Sequence, residues 1–569
     1  MQGLIGPLKE LAEFEELCKN KKKDVGMIRV CGCVNSQKSH MMYALGDGCK
    51  YKVIACSSET KAKQIYEEYR FLDSNTYLYP AKDFLFYQAD IRSKELVKQR
   101  MEGIQAVLSG EPVTVVTSLD GFMDHLAPKE SIAEKVLKVQ NDSVLKLDEM
   151  AEKLSVIGYD REVQVEGPGQ FAVRGGILDI YPLTEELPVR IELWGDEVDS
   201  IRTFDVESQR SIENLMDIVI YPAVEFPQNG EKGVSFLDYF PPEDTILFLD
   251  EPVRLVERGQ NIEDEFMEAQ KKRLESGYDL EEEEAKIFPV TEILKKINCY
   301  SSIGFYALGM KCKGLEVRES YEIQAKSVNP YNNSFEMLTQ DLKRLKRNGY
   351  RVILLSGSRT RAKRLAEDLR DYNLSSYYSE DLDREVKPGE IMTAYGYIAE
   401  GYEYPMLKFT VIAESDIFGK RKKKKKRKTY EGRKIQSFSE LKPGDYVVHE
   451  NHGVGVYQGI EKIVVDKISK DYMKISYAQG GNLYIPATQL DLIQKYASAD
   501  AKKPKLNKLG TQEWNRTKTK VRGAVKEIAR DLVKLYAARQ EQDGYVYGED
   551  TVWQREFEEM SRLKRQKTR

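Results

Sequence analysis

The sequence predicts a multidomain α/β protein, and three observations lead to that prediction. Its 569 residues exceed the roughly 100 to 200 residues of one domain, so several domains are expected. Short apolar runs alternate with amphipathic helical stretches over residues 1–120, which is typical of βαβ units around a parallel sheet. Further along, period-two strands separated by glycine-rich turns indicate antiparallel modules.

Composition narrows the class of protein. Hydrophobic residues make up 41% and charged residues 32% of the chain, which excludes a disordered tail. No apolar run approaches the roughly 20 residues of a membrane helix, and the first residues are acidic where a secretory signal would be basic and then apolar. We therefore expect a cytoplasmic protein without a membrane partner. The seven cysteines include no CxxC pair, so reduced structural thiols are expected.

The first 325 residues are expected to form one α/β module that carries an inserted domain. Apolar runs such as MIRVCGCV and YKVIACS are the candidate parallel strands. From about residue 147 to residue 224 the period changes to two, in strings such as GQFAVRGGILDIYP, which indicates an antiparallel α+β domain. The α/β pattern returns at residues 232–325.

Four further segments follow this module. Residues 328–418 predict a small α/β domain. Nine consecutive basic residues at 420–428 predict a solvated linker, with weak contact to a phosphate backbone as the alternative. Residues 437–497 hold four or five short strands suited to a small β-barrel. Residues 509–542 predict a long amphipathic helix, which either lies against a larger neighbour or is simply a solvated surface helix.

One candidate phosphate-binding loop follows the first apolar run. Residues 32–39, GCVNSQKS, fit the pattern GxxxxGK[ST] at Gly32, Lys38 and Ser39, but Gln37 replaces the second glycine. A side chain at that position crowds the turn that points backbone N–H groups at phosphate. Asp250 and Glu251 could be the relic of a magnesium-holding carboxylate. We therefore predict a non-functional nucleotide loop, no ATP hydrolysis and no cofactor in this chain.

The inserted domain contains a candidate protein-binding surface. Apolar residues alternate in the string PVRIELW, so Arg190, Glu192 and Trp194 share the opposite face of the strand. A tryptophan beside an arginine on a polar face is typical of a protein-binding patch. The alternative is a tryptophan that a neighbouring helix folds over the sheet edge.

The four histidines suggest no catalytic site. The spacing of His449 and His452 could begin a metal site, but no cysteine pair lies near them, and a turn before Gly453 is the simpler interpretation. No Ser/His/Asp or Cys/His arrangement can be argued from the spacing. We therefore predict neither catalytic residues nor a metal ion.

Several long strings, together with the degenerate loop, make the chain resemble the bacterial transcription-repair coupling factor (Mfd) family from its first residue to about Met560. These strings are YLYPAKDFLFYQADIRSKELVKQR, GQFAVRGGILDIYP, FDVESQRS and KPGDYVVHENHGVGVYQGI. The resemblance implies a UvrB-like module with a lost nucleotide site at residues 1–325, a small α/β domain, a CarD/Tudor-like RNA polymerase interacting domain and a linker helix. The implied boundaries of the other parts are 125–225 for the inserted UvrA-binding domain, 328–418 for the small domain, 419–436 for the basic linker, 437–497 for the CarD-like domain and 509–542 for the helix.

The resemblance also implies partners and site residues. In the family, the positions that match Arg174, Arg190 and Trp194 contact UvrA, and the position that matches Ile463 contacts the RNA polymerase β subunit. A superfamily 2 translocase motor, which uses ATP and magnesium and binds double-stranded DNA, follows these domains. After EDTVWQREFEEM the sequence departs from the family, so residues 543–569 are expected to be a truncated start of the motor region.

The expected function is therefore that of an adaptor in transcription-coupled DNA repair, which binds stalled RNA polymerase and recruits UvrA. Two other hypotheses remain. An autonomous UvrB-like ATPase that acts on damaged DNA is disfavoured by Gln37 and by the lack of a second phosphate loop in the sequence. A CarD-like transcription regulator would account for only about 60 residues of the chain.

Overall fold

The computed structural model describes residues 2–82, 94–206, 208–225, 227, 231–275, 287–419, 441, 443–449, 452–465, 468–486, 493–496, 504–509 and separate positions between 513 and 534. The chain divides into two compact units. The first consists of Met1–Glu431 with two short later segments, Lys462–Tyr472 and Pro486–Asp491, and the second is the remainder. Each unit is described by itself.

The first unit contains strands and helices that alternate for much of its length. Its helices are α1 (Gln2–Ile5), α2 (Ala12–Asn20), α3 (Asn35–Leu45), α4 (Glu59–Leu72), α5 (Lys94–Leu108), α6 (Lys129–Glu134), α7 (Leu147–Val156), α8 (Pro252–Glu275), α9 (Val290–Ile297), α10 (Phe335–Arg347), α11 (Arg359–Asp371) and α12 (Glu414–Phe418). Its strands are β1 (Gly26–Cys31), β2 (Tyr51–Cys56), β3 (Thr76–Tyr79), β4 (Val113–Ser118), β5 (Leu137–Gln140), β6 (Asp160–Arg161), β7 (Gln170–Arg174), β8 (Ile177–Tyr181), β9 (Val189–Trp194), β10 (Glu197–Phe204), β11 (Ser211–Leu215), β12 (Asp217–Ile220), β13 (Thr245–Asp250), β14 (Ser301–Phe305), β15 (Val317–Glu322), β16 (Lys326–Ser327), β17 (Arg351–Ser356), β18 (Tyr377–Ser379), β19 (Ile391–Tyr395), β20 (Tyr402–Tyr404) and β21 (Phe409–Ala413).

A seven-stranded sheet forms the base of the first unit. Its order is β15-β1-β14-β13-β2-β4-β3, and its strand pairs are parallel. Every residue of β4 and β13 is buried, as expected for strands whose two faces are both covered by helices. The predicted multidomain α/β fold with a parallel sheet is confirmed.

A second sheet lies between β4 and β13 along the chain. Its order is β11-β10-β9-β8-β7-β6, and the pairs from β7 to β11 are antiparallel. Its inner face is covered by α7, and apolar side chains such as Phe171, Leu178 and Ile191 are completely buried there. The change to period-two alternation in the sequence therefore corresponds to a sheet with one covered and one open face.

Arg100, on α5, joins the two connections of this inserted sheet to the base sheet. The side chain is fully buried and its Nε donates to both carboxylate oxygens of Glu225, at 2.8 Å each, while Nη2 donates to Asp124 at 2.7 Å. Its guanidinium also lies 4.4 Å from the centre of the Tyr79 ring. Asp124 precedes the inserted sheet and Glu225 follows it, so the Arg100 guanidinium binds both segments that connect the inserted sheet to the base sheet.

A third sheet packs on α3 and α4, the helices that cover one face of the base sheet. Its order is β16-β20-β21-β17-β19-β18, with β21, β17, β19 and β18 parallel. Completely buried residues of both sheets, including Ile54, Ile303, Ile353 and Val411, belong to one hydrophobic cluster. The small α/β segment predicted at 328–418 therefore shares its core with the base sheet.

A five-stranded sheet follows later in the chain. Its strands are β22 (Tyr446–His449), β23 (Gly453–Val465), β24 (Ile468–Ser476), β25 (Asn482–Pro486) and β26 (Ile493–Lys495), in the order β25-β24-β23-β22-β26. The positions described between 513 and 534 are helical. The basic run at 420–428 and residues 543–569 lie outside the described residues.

Candidate functional site

The degenerate loop joins β1 to α3, and its residues have protein partners where a nucleotide loop would have phosphates. Gly32 has a φ of +78°, and a Cβ atom there would lie 2.4 Å from the carbonyl oxygen of Ile323. Close packing against the chain that follows β15 therefore explains why this residue is a glycine, because any side chain here would collide with backbone.

Gln37 fills the position of the missing glycine and ties α3 to the third sheet. The side chain is completely buried. Its Oε1 accepts the backbone N–H of Val34 at 3.2 Å, and its Nε2 donates to the Tyr404 hydroxyl at 3.0 Å. The substitution therefore supplies a helix cap and a contact between sheets in place of a phosphate cradle.

Tyr404 continues this contact into a directed chain of hydrogen bonds. The buried ring of His40 lies between the Tyr404 hydroxyl, 3.1 Å from Nδ1, and the Leu4 carbonyl oxygen, 2.9 Å from Nε2. A carbonyl can only accept, so Nε2 carries the proton and Nδ1 accepts from Tyr404. Burial lowers the pKa of His40 to about 4, which keeps the ring neutral and preserves this direction.

Lys38, the phosphate-binding position of the motif, is neutralised by two acidic residues at the end of β13, Asp250 and Glu251. Its Nζ lies 2.8 Å from Asp250 Oδ1 and 2.6 Å from Glu251 Oε1. Burial works against the charged lysine, but the carboxylates of Asp250 and Glu251 outweigh it and raise the pKa of Lys38. The predicted relic of a magnesium-holding carboxylate is thus the partner of the lysine itself.

The serines of the loop are bound in the same way. Ser36 Oγ and Ser39 Oγ donate to the two oxygens of the buried Glu68 carboxylate, at 2.7 Å and 2.5 Å. Glu68 also accepts the backbone N–H of Ala399 at 3.1 Å, from the chain that follows β19. The position that would hold magnesium in a working loop, Ser39, is therefore engaged by a carboxylate, and the third sheet covers the loop.

These contacts support the prediction that the loop does not bind nucleotide, and they lead to a specific expectation for a variant at Gln37. Restoring the consensus glycine with Gln37→Gly should not create ATP binding, because Lys38 and Ser39 keep their buried partners. The variant should instead lose stability beyond the roughly 1 kcal/mol of a glycine inside a helix, since the Tyr404 hydroxyl loses its donor.

Titration calorimetry with ATP and Mg²⁺ would measure the first effect and urea unfolding the second. Gln99→Gly is the matched control, because Gln99 lies within α5 and donates only to the exposed side chain of Glu95. Saturable ATP binding by Gln37→Gly that disappears on adding Lys38→Ala would contradict the argument.

Two arginines of the predicted surface on the inserted sheet meet at one buried acidic residue. Asp179 on β8 is 1% exposed. Its Oδ1 accepts Arg190 Nε at 2.7 Å, and its Oδ2 accepts Arg190 Nη2 at 2.9 Å and Arg174 Nη2 at 2.5 Å. The structure thus brings Arg174 and Arg190 together.

Trp194 lies on the same strand as Arg190 and is open to solvent. Its side chain is 85% exposed, so the alternative of a tryptophan folded over the sheet edge is wrong. Arg190 and Trp194 are four residues apart on β9, which separates them by about 13 Å along the strand. The sequence analysis missed Asp179, although an acidic residue between the apolar neighbours of ILDIY was a signal that it faces the same side as the arginines.

Ile463 and His449 lie in the five-stranded sheet, and His452 directly precedes its strand β23. Ile463 belongs to β23, but its side chain lies outside what the structure describes. β23 is an internal strand of the sheet order, and β22 pairs with it only over Gly453–Val456. The ring centroids of His449 and His452 are 4.8 Å apart, and burial lowers the pKa of His449 to about 3. The described residues contain no group of three acidic, histidine or cysteine side chains that could hold a metal ion.

Two family models match parts of the chain. A model described as the UvrB interaction domain matches residues 137–226, and one described as the CarD-like/TRCF RID domain matches residues 441–497. The fold and these matches define a multidomain α/β protein that combines a UvrB interaction domain with a CarD-like domain. Among the described residues, no helix is long and apolar enough to cross a membrane.

Whole-chain comparisons extend this result. The transcription-repair-coupling factor of Bacillus subtilis (strain 168) is 30% identical over 614 residues, which cover 97% of this chain and 52% of the relative. That of Staphylococcus haemolyticus is 29% identical over 555 residues, which cover 85% of this chain and 46% of the relative. The chain belongs to the transcription-repair-coupling factor family and spans about half the length of the curated relatives it matches.

Among solved structures, a hypothetical ATP-dependent RNA helicase from Sulfolobus tokodaii overlaps 69% of this chain and 82% of that chain, at 10% identity and a TM-score of 0.21. A superposition this poor carries no argument about the fold.

Proposed function

We propose that this chain is the adaptor part of a transcription-coupled repair protein, with one surface for UvrA and another for the RNA polymerase β subunit. The observation that supports the UvrA surface best is the exposed indole of Trp194, which lies on the same face of the sheet as the Arg174–Asp179–Arg190 cluster. Tryptophan and arginine are the side chains most enriched among residues that dominate binding energy. A large aromatic ring that is 85% exposed also gains by being covered.

The state of the nucleotide loop supports an adaptor over an ATPase. The side chains of Lys38, Ser39 and Gln37 are all engaged by buried groups of the chain itself, so the lysine and the serine are not available to hold phosphate and magnesium. ATP-driven movement on double-stranded DNA, and release of the polymerase, would belong to the translocase motor that the family resemblance implies. That motor is also where ATP and magnesium would bind.

The UvrA surface predicts a specific pattern of binding losses. Arg174→Ala and Trp194→Ala should each weaken binding to purified UvrA by roughly 30-fold, which corresponds to about 2 kcal/mol, because both side chains would be covered in the complex. Surface plasmon resonance with the full chain would measure the dissociation constants.

Val163→Ala is the matched control, since Val163 is an apolar side chain of the same domain that is 88% exposed. Unchanged affinity in both the arginine and the tryptophan variants would place the UvrA site elsewhere.

The polymerase surface is tested at Ile463. If this side chain contacts the β subunit, Ile463→Arg should abolish capture of RNA polymerase while the melting temperature stays unchanged. If it lies in the core of the sheet, the same change should unfold the domain by burying an unpaired charge.

Gln458→Arg provides the control, because it adds the same charge to an exposed position of the same strand. A folded Ile463→Arg protein that captures polymerase with wild-type affinity would remove Ile463 from the proposed contact.

A further inference from the structure

The two arginines of the proposed UvrA surface are not equivalent. Arg190 is 14% exposed, and its Nε and Nη2 grip both oxygens of Asp179. Its Nη2 also donates to Gln209 Oε1 at 3.0 Å, and its guanidinium lies 4.5 Å from the centre of the Phe204 ring. The position of the Arg190 guanidinium is therefore fixed by contacts with a carboxylate, an amide and an aromatic ring.

Arg174 has the opposite character. Its side chain is 44% exposed and donates through Nη2 to Asp179 Oδ2. A guanidinium carries five N–H donors, and that contact engages one nitrogen of the group at its buried end. The remainder of the planar fork is presented at the surface, which is the geometry that pairs with a carboxylate on another molecule.

Charge counting gives the same division of roles. Asp179 contributes one negative charge to a cluster with two guanidiniums, and the nearby Glu192 carboxylate is paired with Arg202, so one positive charge remains after internal pairing. Most of that charge lies on the exposed member, because Arg190 and Asp179 form a two-bonded pair beneath it. A partner that covers this cluster without a compensating acid would bury an unpaired charge, which is costly.

We infer that Asp179 is a positioning residue of this surface: with Arg190 it holds Arg174 outward, so that the partner contributes a carboxylate to Arg174 and an apolar recess to Trp194. The inference rests on the proposed UvrA function and adds to it the chemistry of the partner's face. Arg174 and Trp194 are the contact residues. Arg190 acts through Asp179.

A double-substitution experiment with the full chain and purified UvrA separates this role from a merely structural one. Asp179→Asn keeps the shape of the side chain and removes its charge, so it should weaken UvrA binding about tenfold. In an Arg174→Ala background the same change should cost less than twofold, because the residue it positions is already gone. Circular dichroism and the melting temperature report whether the domain is folded.

Arg190→Lys provides a second route that leaves the buried acid in place. Lysine keeps the charge but lacks the planar fork, so this variant should also weaken binding, and the loss should again vanish in the Arg174→Ala background. If Asp179→Asn does not fold, this pair of measurements decides the question.

The chemistry of the partner has its own test. Arg174→Glu should weaken binding at least tenfold more than Arg174→Ala, because it places a carboxylate against the carboxylate expected on UvrA. Equal losses for the two variants would contradict an acidic partner face.

The outcomes distinguish a failure of the positioning role of Asp179 from a failure of the proposed UvrA binding. Wild-type binding by a folded Asp179→Asn protein would overturn the positioning role, and so would a loss of the same size with and without Arg174. In both cases Arg174→Ala and Trp194→Ala would still weaken binding if the proposed function is right. If those two variants bind UvrA normally, the proposed function itself fails.

Discussion

Replacing Lys38 with alanine should lower the free energy of unfolding of the first unit by about 3 to 5 kcal/mol, because it leaves a buried carboxylate without its cation. The lysine and Asp250 side chains are 5% and 2% exposed, so water cannot take the place of the lost charge. In a working phosphate loop, the same substitution would remove nucleotide binding and leave the fold intact. Here the effect should appear as instability.

Urea unfolding would measure the change in global stability, and native-state hydrogen exchange of α3 and β13 would measure the change near Lys38. Lys19→Ala is the control, since its ion pair with Glu15 has the same kind of geometry at 2.6 Å but both side chains are more than 60% exposed. Such an exposed pair contributes little to stability, because water and salt screen it. A Lys38→Met protein should be destabilised for the same reason, and adding Asp250→Asn to it should recover part of the loss, because the buried charge is then removed. A Lys38→Ala protein that is as stable as the Lys19→Ala control would contradict the assignment.

Arg100→Met should have an effect at least as large, also about 3 to 5 kcal/mol. The substitution preserves much of the side-chain volume but removes the arginine from two buried carboxylates, Asp124 and Glu225, that are 4% and 2% exposed. Asp124 keeps only a longer contact with Lys82, at 3.5 Å. These acids lie on the two connections of the inserted sheet, so protease cleavage at both connections should also accelerate.

Thermal unfolding and limited proteolysis would detect these two consequences. The rescue variant combines Arg100→Met with Glu225→Gln and Asp124→Asn, which removes the uncompensated charges and should restore most of the stability. Equal stability of Arg100→Met and the wild type, with unchanged proteolysis at both connections, would show that the ion cluster does not hold the inserted sheet.

The elements of the fold that could be predicted were those with a local pattern. Apolar runs such as those in β1 and β2 predicted the parallel sheet, and alternation in β9 predicted which side chains share a face with Trp194. Both patterns arise from the geometry of a single strand. The sequence therefore located the arginine and tryptophan surface correctly on the polar face.

What could not be predicted were contacts between distant parts of the chain. Gln37 was recognised as incompatible with a phosphate cradle, but its partner Tyr404 is 367 residues away, and no local pattern connects the two. For the same reason, Asp250 and Glu251 looked like the remains of a metal site when they are the partners of Lys38. Asp179 was overlooked because its importance comes from two arginines on two other strands.

The contacts of residues 1–20 affect the order in which the chain can fold while it is being synthesised. Gly3 donates its backbone N–H to the Leu382 carbonyl, and Glu10 pairs with Arg351, 341 residues later. At about 5 to 20 residues per second, roughly 20 to 80 seconds separate the synthesis of α1 from that of β21, the last strand of the third sheet. Until then, α3 and α4 lack the sheet that packs on them. Helices α1 and α2 are thus among the last elements to reach their final contacts, and the nascent chain must be kept from aggregating throughout that interval.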